Sequence, residues 1–472
     1  MQSKHHNAID TEFDLVVRNG SIVSPTNIFN ADIGIKDGKI TSISNDLNVG
    51  NRDIDAEGKY VLPGGVDTHC HIEQISGNGL KNADTFETAT RSAAFGGTTS
   101  VISFAAQHKG QRLKDVVAEY EECAVRGSII DYAFHIIVSD VDTNSLVNEL
   151  LDLSRLGHRS IKIFTTYNIR LADEKILEVM SAAKKAGCLI CVHAENHAII
   201  DYATQESLEA GNIAPKFHAA AHSRLAEAEA VSRIIRFSEF IDQSVLLFHI
   251  STAEGVNLVR EARARNSKII AETCPHYLLM TEENLNLPGL EGAKFMCSPP
   301  QRGKTDQEAL WQGLKYGDLS LVTSDHAPFR YDDTGKLANG PNPPFNKIAN
   351  GMPGLEVRLP LLFNAMVSNQ RFDICKFVEV TSTNPARIFG LKNKGHISLG
   401  KDADLVIWDA AKKVTYGKND LHDNVGYNPY EGRNIVGWPE MVISRGDVIV
   451  ENETISHDYG RGARMHIHPM IW

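Results

Sequence analysis

A parallel (β/α)8 barrel joined to a small β-sandwich is the α/β architecture this sequence predicts, and three features predict it. Apolar strand-like runs alternate with helix-period stretches through the middle of the chain. Eight such runs can be counted, ending near His71, Phe104, Ile137, Phe164, His193, His249, Cys274 and Asp325. Both ends of the chain instead carry short strands set off by turn residues.

Residues 13–62 open the chain with a strand over Asp14–Gly20, then Ile33–Ile40 folded at an Asp37-Gly38 turn. Residues 63–395 hold the eight βα units, the span of a (β/α)8 barrel with insertions. Within it, stretches 110–126, 171–187 and 219–240 carry the helix period. Residues 396–450 return to short strands, including Ala403–Trp408 and Met441–Val448, and are expected to join the first segment in one sandwich. Residues 451–472 are polar, then apolar: a loose tail or an arm laid on a neighbouring subunit.

At 472 residues the chain exceeds one ordinary core. Its 42% hydrophobic and 23% charged content is that of a globular protein. A net charge of −11, with both signs interspersed, argues against nucleic acid or an anionic membrane as partner, since both call for a basic face. Cys70, Cys123, Cys188, Cys191, Cys274, Cys297 and Cys375 lie mostly in apolar runs, as reduced thiols of a cytoplasmic protein would. Cys188-Leu-Ile-Cys191 has redox spacing but falls inside a strand, where packing is the expected role. The N-terminal MQSKHHNAIDTEFD lacks an apolar segment and no later stretch reaches membrane-spanning length, so neither secretion nor anchoring is expected.

His69-Cys70-His71 closes the apolar run that begins at Tyr60. Side chains alternate along a strand, so both imidazoles leave one face. The pair alone is a weak signal, and His466 and His468 repeat it in the tail. Its weight comes from later strand ends, which hold Lys162, His193, His249 and Asp325. Barrel active sites lie at those ends, so the six residues converge on one mouth.

Singly, His193 and His249 read as core histidines and Asp325 as a helix cap. Lys162 resists such a reading, because an ammonium in an apolar strand is costly without a partner. Burial lowers its pKa, and the neutral amine can add CO2 to give a carbamate able to bridge two cations. Two divalent ions about 3.5–4 Å apart can share a hydroxide and polarise a carbonyl. Imidazole and carboxylate donors suit zinc first, with manganese, cobalt or iron as substitutes.

The chain resembles the amidohydrolase superfamily and, within it, the dihydropyrimidinases and hydantoinases. The likeness runs over residues 13–450 through PGGVDTHCH, AFGGTTSVISFA, IDYAFHI, IKIFTTY, VHAEN, FHIST, ETCPHYL, CSPP, SDHAPF and NGMPGLE. It implies that His69, His71 and Asp325 hold the more buried ion, that His193 and His249 hold the other, and that carboxylated Lys162 bridges them. Tyr167 is implied to stabilise the oxyanion, and Ser298 and Asn350 to hold the cyclic amide through backbone atoms. The implied reaction opens a dihydropyrimidine, hydantoin or cyclic imide to an N-carbamoyl or amide acid. A bridging hydroxide would attack, and Asp325 would carry its proton to the leaving nitrogen. The implied assembly is a homotetramer.

The resemblance weakens at Ile72–Gly79, which replaces a proline- and aromatic-containing segment and shapes the pocket for the ring substituent. Arg170 is placed either to meet an anionic substituent or to face solvent. His276 is shared with allantoinases and dihydroorotases, whereas the Lys162–Tyr167 spacing is that of dihydropyrimidinases. Two alternatives stay open. One is a related ring, allantoin or dihydroorotate, on the same fold; the other is a metal-free dihydropyrimidinase-like scaffold. All six ligand positions carry competent residues, which weighs against the scaffold.

Overall fold

The computed structural model describes residues 12–76, 79–456 and 459–469. Gly77 and Asn78 of the departing loop, most of the N-terminal MQSKHHNAIDTEFD and the last three residues lie outside the described residues.

Eight parallel strands follow one another in chain order around a barrel. They are β1 (Gly65–Asp67), β2 (Thr98–Ala106), β3 (Asp131–Ile137), β4 (Ser160–Phe164), β5 (Leu189–His193), β6 (Val245–Leu247), β7 (Ile269–Thr273) and β8 (Leu321–Val322). The ring closes beyond the ends of β1 and β8: Cys70 pairs with His326, and the His71 N–H donates to the His326 carbonyl at 2.7 Å. Helices Leu113–Gly127, Asp173–Ala186 and Arg224–Ile241 lie where the apolar period predicts helix.

β3, β4 and β5 end at Ile137, Phe164 and His193, as the sequence predicts, but β1, β6 and β8 stop short of His71, His249 and Asp325. The reason is local. The Asp67 carboxylate accepts from the N–H groups of His69 and Ser324, both at 3.2 Å, in place of ladder partners. His249 and Asp325 take left-handed backbone, at φ 40° and 46°, which no strand continues through. The ligand candidates therefore ride on short turns beyond the strands. Gly64 has a similar local cause, since a Cβ there would come within 2.1 Å of the Thr99 hydroxyl.

The barrel interior is packed by Ile102, Phe104, Phe164 and Phe248, and Phe389 and Ile467 belong to the same apolar cluster. The tail first adds Thr454–Ile455 to the sandwich sheet, and then Met465 and Ile467 lie on the closed end of their own barrel, with Met465 N–H on the Tyr132 carbonyl and Ile467 N–H on that of Gly157. Strands from both chain ends form one seven-stranded sheet, in which Leu405–Thr415 pairs antiparallel with Tyr60–Pro63. A four-stranded sheet of N-terminal strands packs on it through Leu15, Val17, Ile33, Leu405 and Ile443. Asp37-Gly38 makes the predicted hairpin turn, with both residues at positive φ. The run Met441–Val448 is not one strand: Arg445-Gly446 turns it, at φ 47° and 79°.

All seven cysteines are free, and Cys188 and Cys191 are buried on or beside β5. Among the described residues no helix is long and apolar enough to cross a membrane.

One buried ion pair ties the first and last strands under the mouth. The Arg358 guanidinium is fully buried 3.3 Å from Asp67 and also donates to the Val322 carbonyl and the Thr98 hydroxyl. Removing one partner strands a buried charge, so Arg358→Met is expected to cost about 3–5 kcal/mol. A chemical-denaturation midpoint matching the parent would show that the pair does not tie the strands.

Candidate active site

A cavity of about 400 Å3 opens at the C-terminal mouth of the barrel. All nine residues singled out by the sequence line it: His69, His71, Lys162, Tyr167, His193, His249, Ser298, Asp325 and Asn350. His276 and Arg170 do not. His276 is buried away from the cavity, while Arg170 is exposed and folded back onto the Tyr167 carbonyl at 2.9 Å.

His69, His71 and Asp325 form the tightest cluster, their donor atoms all within 4.8 Å of one another. One Asp325 oxygen lies 3.0 Å from His69 Nε2 and 3.4 Å from His71 Nε2. Burial alone would raise the Asp325 carboxyl, but His69, His71 and His249 outweigh it and hold it well below the ordinary carboxylate range. Burial alone would lower His69 too, yet Asp325 and Glu272 raise it to about 9. Three donors crowded round one point, His69 and Asp325 buried and His71 partly so, fit a divalent cation.

His193 and His249 face each other with ring centroids 4.5 Å apart. Burial lowers both imidazoles, leaving them neutral as ligation demands. The His249 Nδ1 is buried with no hydrogen-bond partner among the described residues.

Lys162 lines the same cavity in an aromatic cage, its Nζ 3.8 Å from the Phe248 ring centre and 4.8 Å from that of Phe164. Burial pushes its pKa down to about 7, so a neutral amine is populated near neutrality. A neutral amine is the form that adds CO2.

Tyr167 stands over His193, ring centroids 5.2 Å apart, and its backbone is left-handed at φ 70°. A non-glycine residue held there costs on the order of 1–3 kcal/mol. Tyr167 shares that strain with His249 and Asp325. Burial, reinforced by the Glu195 charge, keeps the hydroxyl protonated and so a donor. Elsewhere on the lining, the Asn350 side-chain oxygen is buried without a partner among the described residues. Lys336, fully buried, donates to the Ala349 carbonyl at 2.8 Å and fixes the chain that carries Asn350.

The amidohydrolase family model matches residues 60–449, and a model of the urease alpha-subunit N-terminal domain matches residues 1–68. The chain belongs to the amidohydrolase family. It is 40% identical to a D-hydantoinase of Ralstonia pickettii, over 93% of this chain and 95% of that one. A D-hydantoinase of Rhizobium radiobacter is also 40% identical, over 93% and 96%. The crystal structure of a dihydropyrimidinase from Brevibacillus agri superposes with a TM-score of 0.93 at 37% identity, covering 97% of this chain and 99% of the other.

Two carboxylates of this amidohydrolase, Glu195 in VHAEN and Glu272 in ETCPHYL, support its histidines without having stood out in the sequence. Glu272, on β7 and fully buried, hydrogen-bonds the His69 Nδ1. Glu195 lies between His193 Nε2 at 2.7 Å and His222 Nδ1 at 2.9 Å. A carboxylate within an apolar strand is the same signal that marks Lys162, and it could have found Glu272. Such partners fix the tautomer of a ligating histidine and raise its basicity. Glu272→Gln keeps the shape and removes the charge, so metal affinity, read by competition with a chelator, is expected to fall about 10- to 100-fold. Unchanged affinity would reduce Glu272 to a packing role.

Proposed function

We propose that this amidohydrolase opens a cyclic amide ring, a dihydropyrimidine, hydantoin or cyclic imide, to an N-carbamoyl or amide acid. The observation that carries the reading is the convergence of His69, His71, Lys162, His193, His249 and Asp325 on one cavity whose rim presents Tyr167 and Asn350. Relatives named D-hydantoinase, at 40% identity over nearly the whole chain, support the ring chemistry.

His69, His71 and Asp325 would hold one divalent ion and His193 and His249 a second, zinc suiting these donors best. Lys162, after its neutral amine adds CO2 and sheds a proton, would join the two sets as a carbamate. Bound there, the ions would supply an activated water and polarise the scissile carbonyl. The Tyr167 hydroxyl donates to the carbonyl oxygen as negative charge develops on it. Asp325 takes the proton of the attacking water on its carboxylate and returns it to the ring nitrogen as the C–N bond breaks. Ser298 and Asn350 hold the ring amide through backbone groups and keep its carbonyl under Tyr167. The seven free thiols fit a reducing compartment, and we place the enzyme in the cytoplasm as a homo-oligomer, a tetramer by family likeness.

The test is turnover of metal-analysed protein on dihydrouracil, hydantoin, succinimide, allantoin and dihydroorotate. Opening of the first three supports the reading. Activity confined to allantoin or dihydroorotate moves the chain to another ring, and no activity with no metal leaves a scaffold.

A further inference from the structure

After the histidine pair, the described residues Gln74 and Ser76 form one wall of the cavity, with Leu80 and Asn82 beside them. The orientation of its two amides follows from their partners. The His71 Nδ1 lies 2.6 Å from the Gln74 Oε1, while Nε2 faces Asp325. An imidazole that offers its Nε2 lone pair to a cation carries its proton on Nδ1, so Gln74 must turn its oxygen to His71. Its NH2 group is then directed away from the imidazole.

Asn82 is fixed in the same way. The Gln74 N–H donates to its Oδ1 at 3.1 Å, and its own N–H donates to the Gln74 carbonyl at 2.9 Å. Only 8% of Asn82 is exposed. Among the described residues neither amide nitrogen has a hydrogen-bond partner. Two oriented donors without acceptors on a cavity wall are costly unless water or a ligand meets them.

We infer that Gln74 and Asn82 select a ring substituent bearing a neutral, hydrogen-bond-accepting oxygen, such as a ketone or carboxamide. The inference rests on the ring-opening reading and narrows its substrate class. A carboxylate substituent fits less well: Lys162 is the one lysine or arginine among the lining residues, and Asp201 stands on the rim. A purely apolar substituent leaves both donors unpaired. Ile169, Ile200 and Ile348 give the cavity apolar surface elsewhere.

Three 5-substituted hydantoins of matched size test it: 2-oxopropyl, 2-methylpropyl and carboxymethyl. The parent enzyme should favour oxopropyl over methylpropyl by about tenfold in kcat/KM, with carboxymethyl the poorest. Gln74→Glu keeps an oxygen for His71 and replaces the donor with an acceptor. Metal content should therefore hold while the oxopropyl advantage disappears. The same order should hold for calorimetric binding of the matching 4-substituted 2-imidazolidinones, which lack the scissile carbonyl. Methylpropyl equal to or better than oxopropyl overturns the inference, as does an advantage that survives Gln74→Glu. If neither hydantoin nor dihydrouracil nor succinimide opens, the ring-opening reading fails, and imidazolidinone binding still decides what the wall selects.

Discussion

Lys162→Ala is expected to release bound metal and to lower turnover by more than about 100-fold, a larger effect than losing a residue that only supports a ligand. The lysine is 1% exposed and surrounded by the rings of Phe104, Phe164 and Phe248, where an ammonium is poorly solvated and would repel a cation. Its pKa of about 7 leaves a large neutral fraction at physiological pH. Under the proposed function, carboxylation would turn that liability into an anion with two oxygens for two ions. Acetate or propionate should therefore restore part of the activity of the alanine variant by standing in for the missing carbamate. Parental metal content and turnover in Lys162→Ala would show that the lysine bridges nothing.

Tyr167→Phe has the second large expected effect, a fall in kcat of about 10²–10³-fold with metal content unchanged. The substitution removes one hydroxyl and leaves the ring on His193, so packing is kept. Burial and the Glu195 charge keep that hydroxyl protonated, so it loses no donor capacity as pH rises through neutrality. Loss of metal in this variant would make the tyrosine a structural prop of His193 instead.

The barrel was legible in the sequence because its strands are apolar runs of the right length and its helices hold their period. The donors were legible for the same reason: His193 closes β5, and Lys162 is a charge in an apolar strand. The true ends of β1, β6 and β8 were not. They depend on Asp67 capturing backbone N–H groups and on left-handed turns at His249 and Asp325, which hydrophobic pattern does not encode. Glu272 and Arg358 were missed because their partners His69 and Asp67 stand 203 and 291 residues away along the chain, and Glu195 because its second partner, His222, lies 27 residues on, beyond a helix. The substituent wall shows a further limit: Gln74 looks like an ordinary loop residue until His71 fixes which way its amide turns.

The most direct test of a two-ion ring hydrolase is to strip the protein with a chelator and titrate zinc back under CO2 while following hydantoin opening. Activity should vanish on stripping and return fully only as about two equivalents per chain are bound. Turnover that survives complete metal removal would contradict the account.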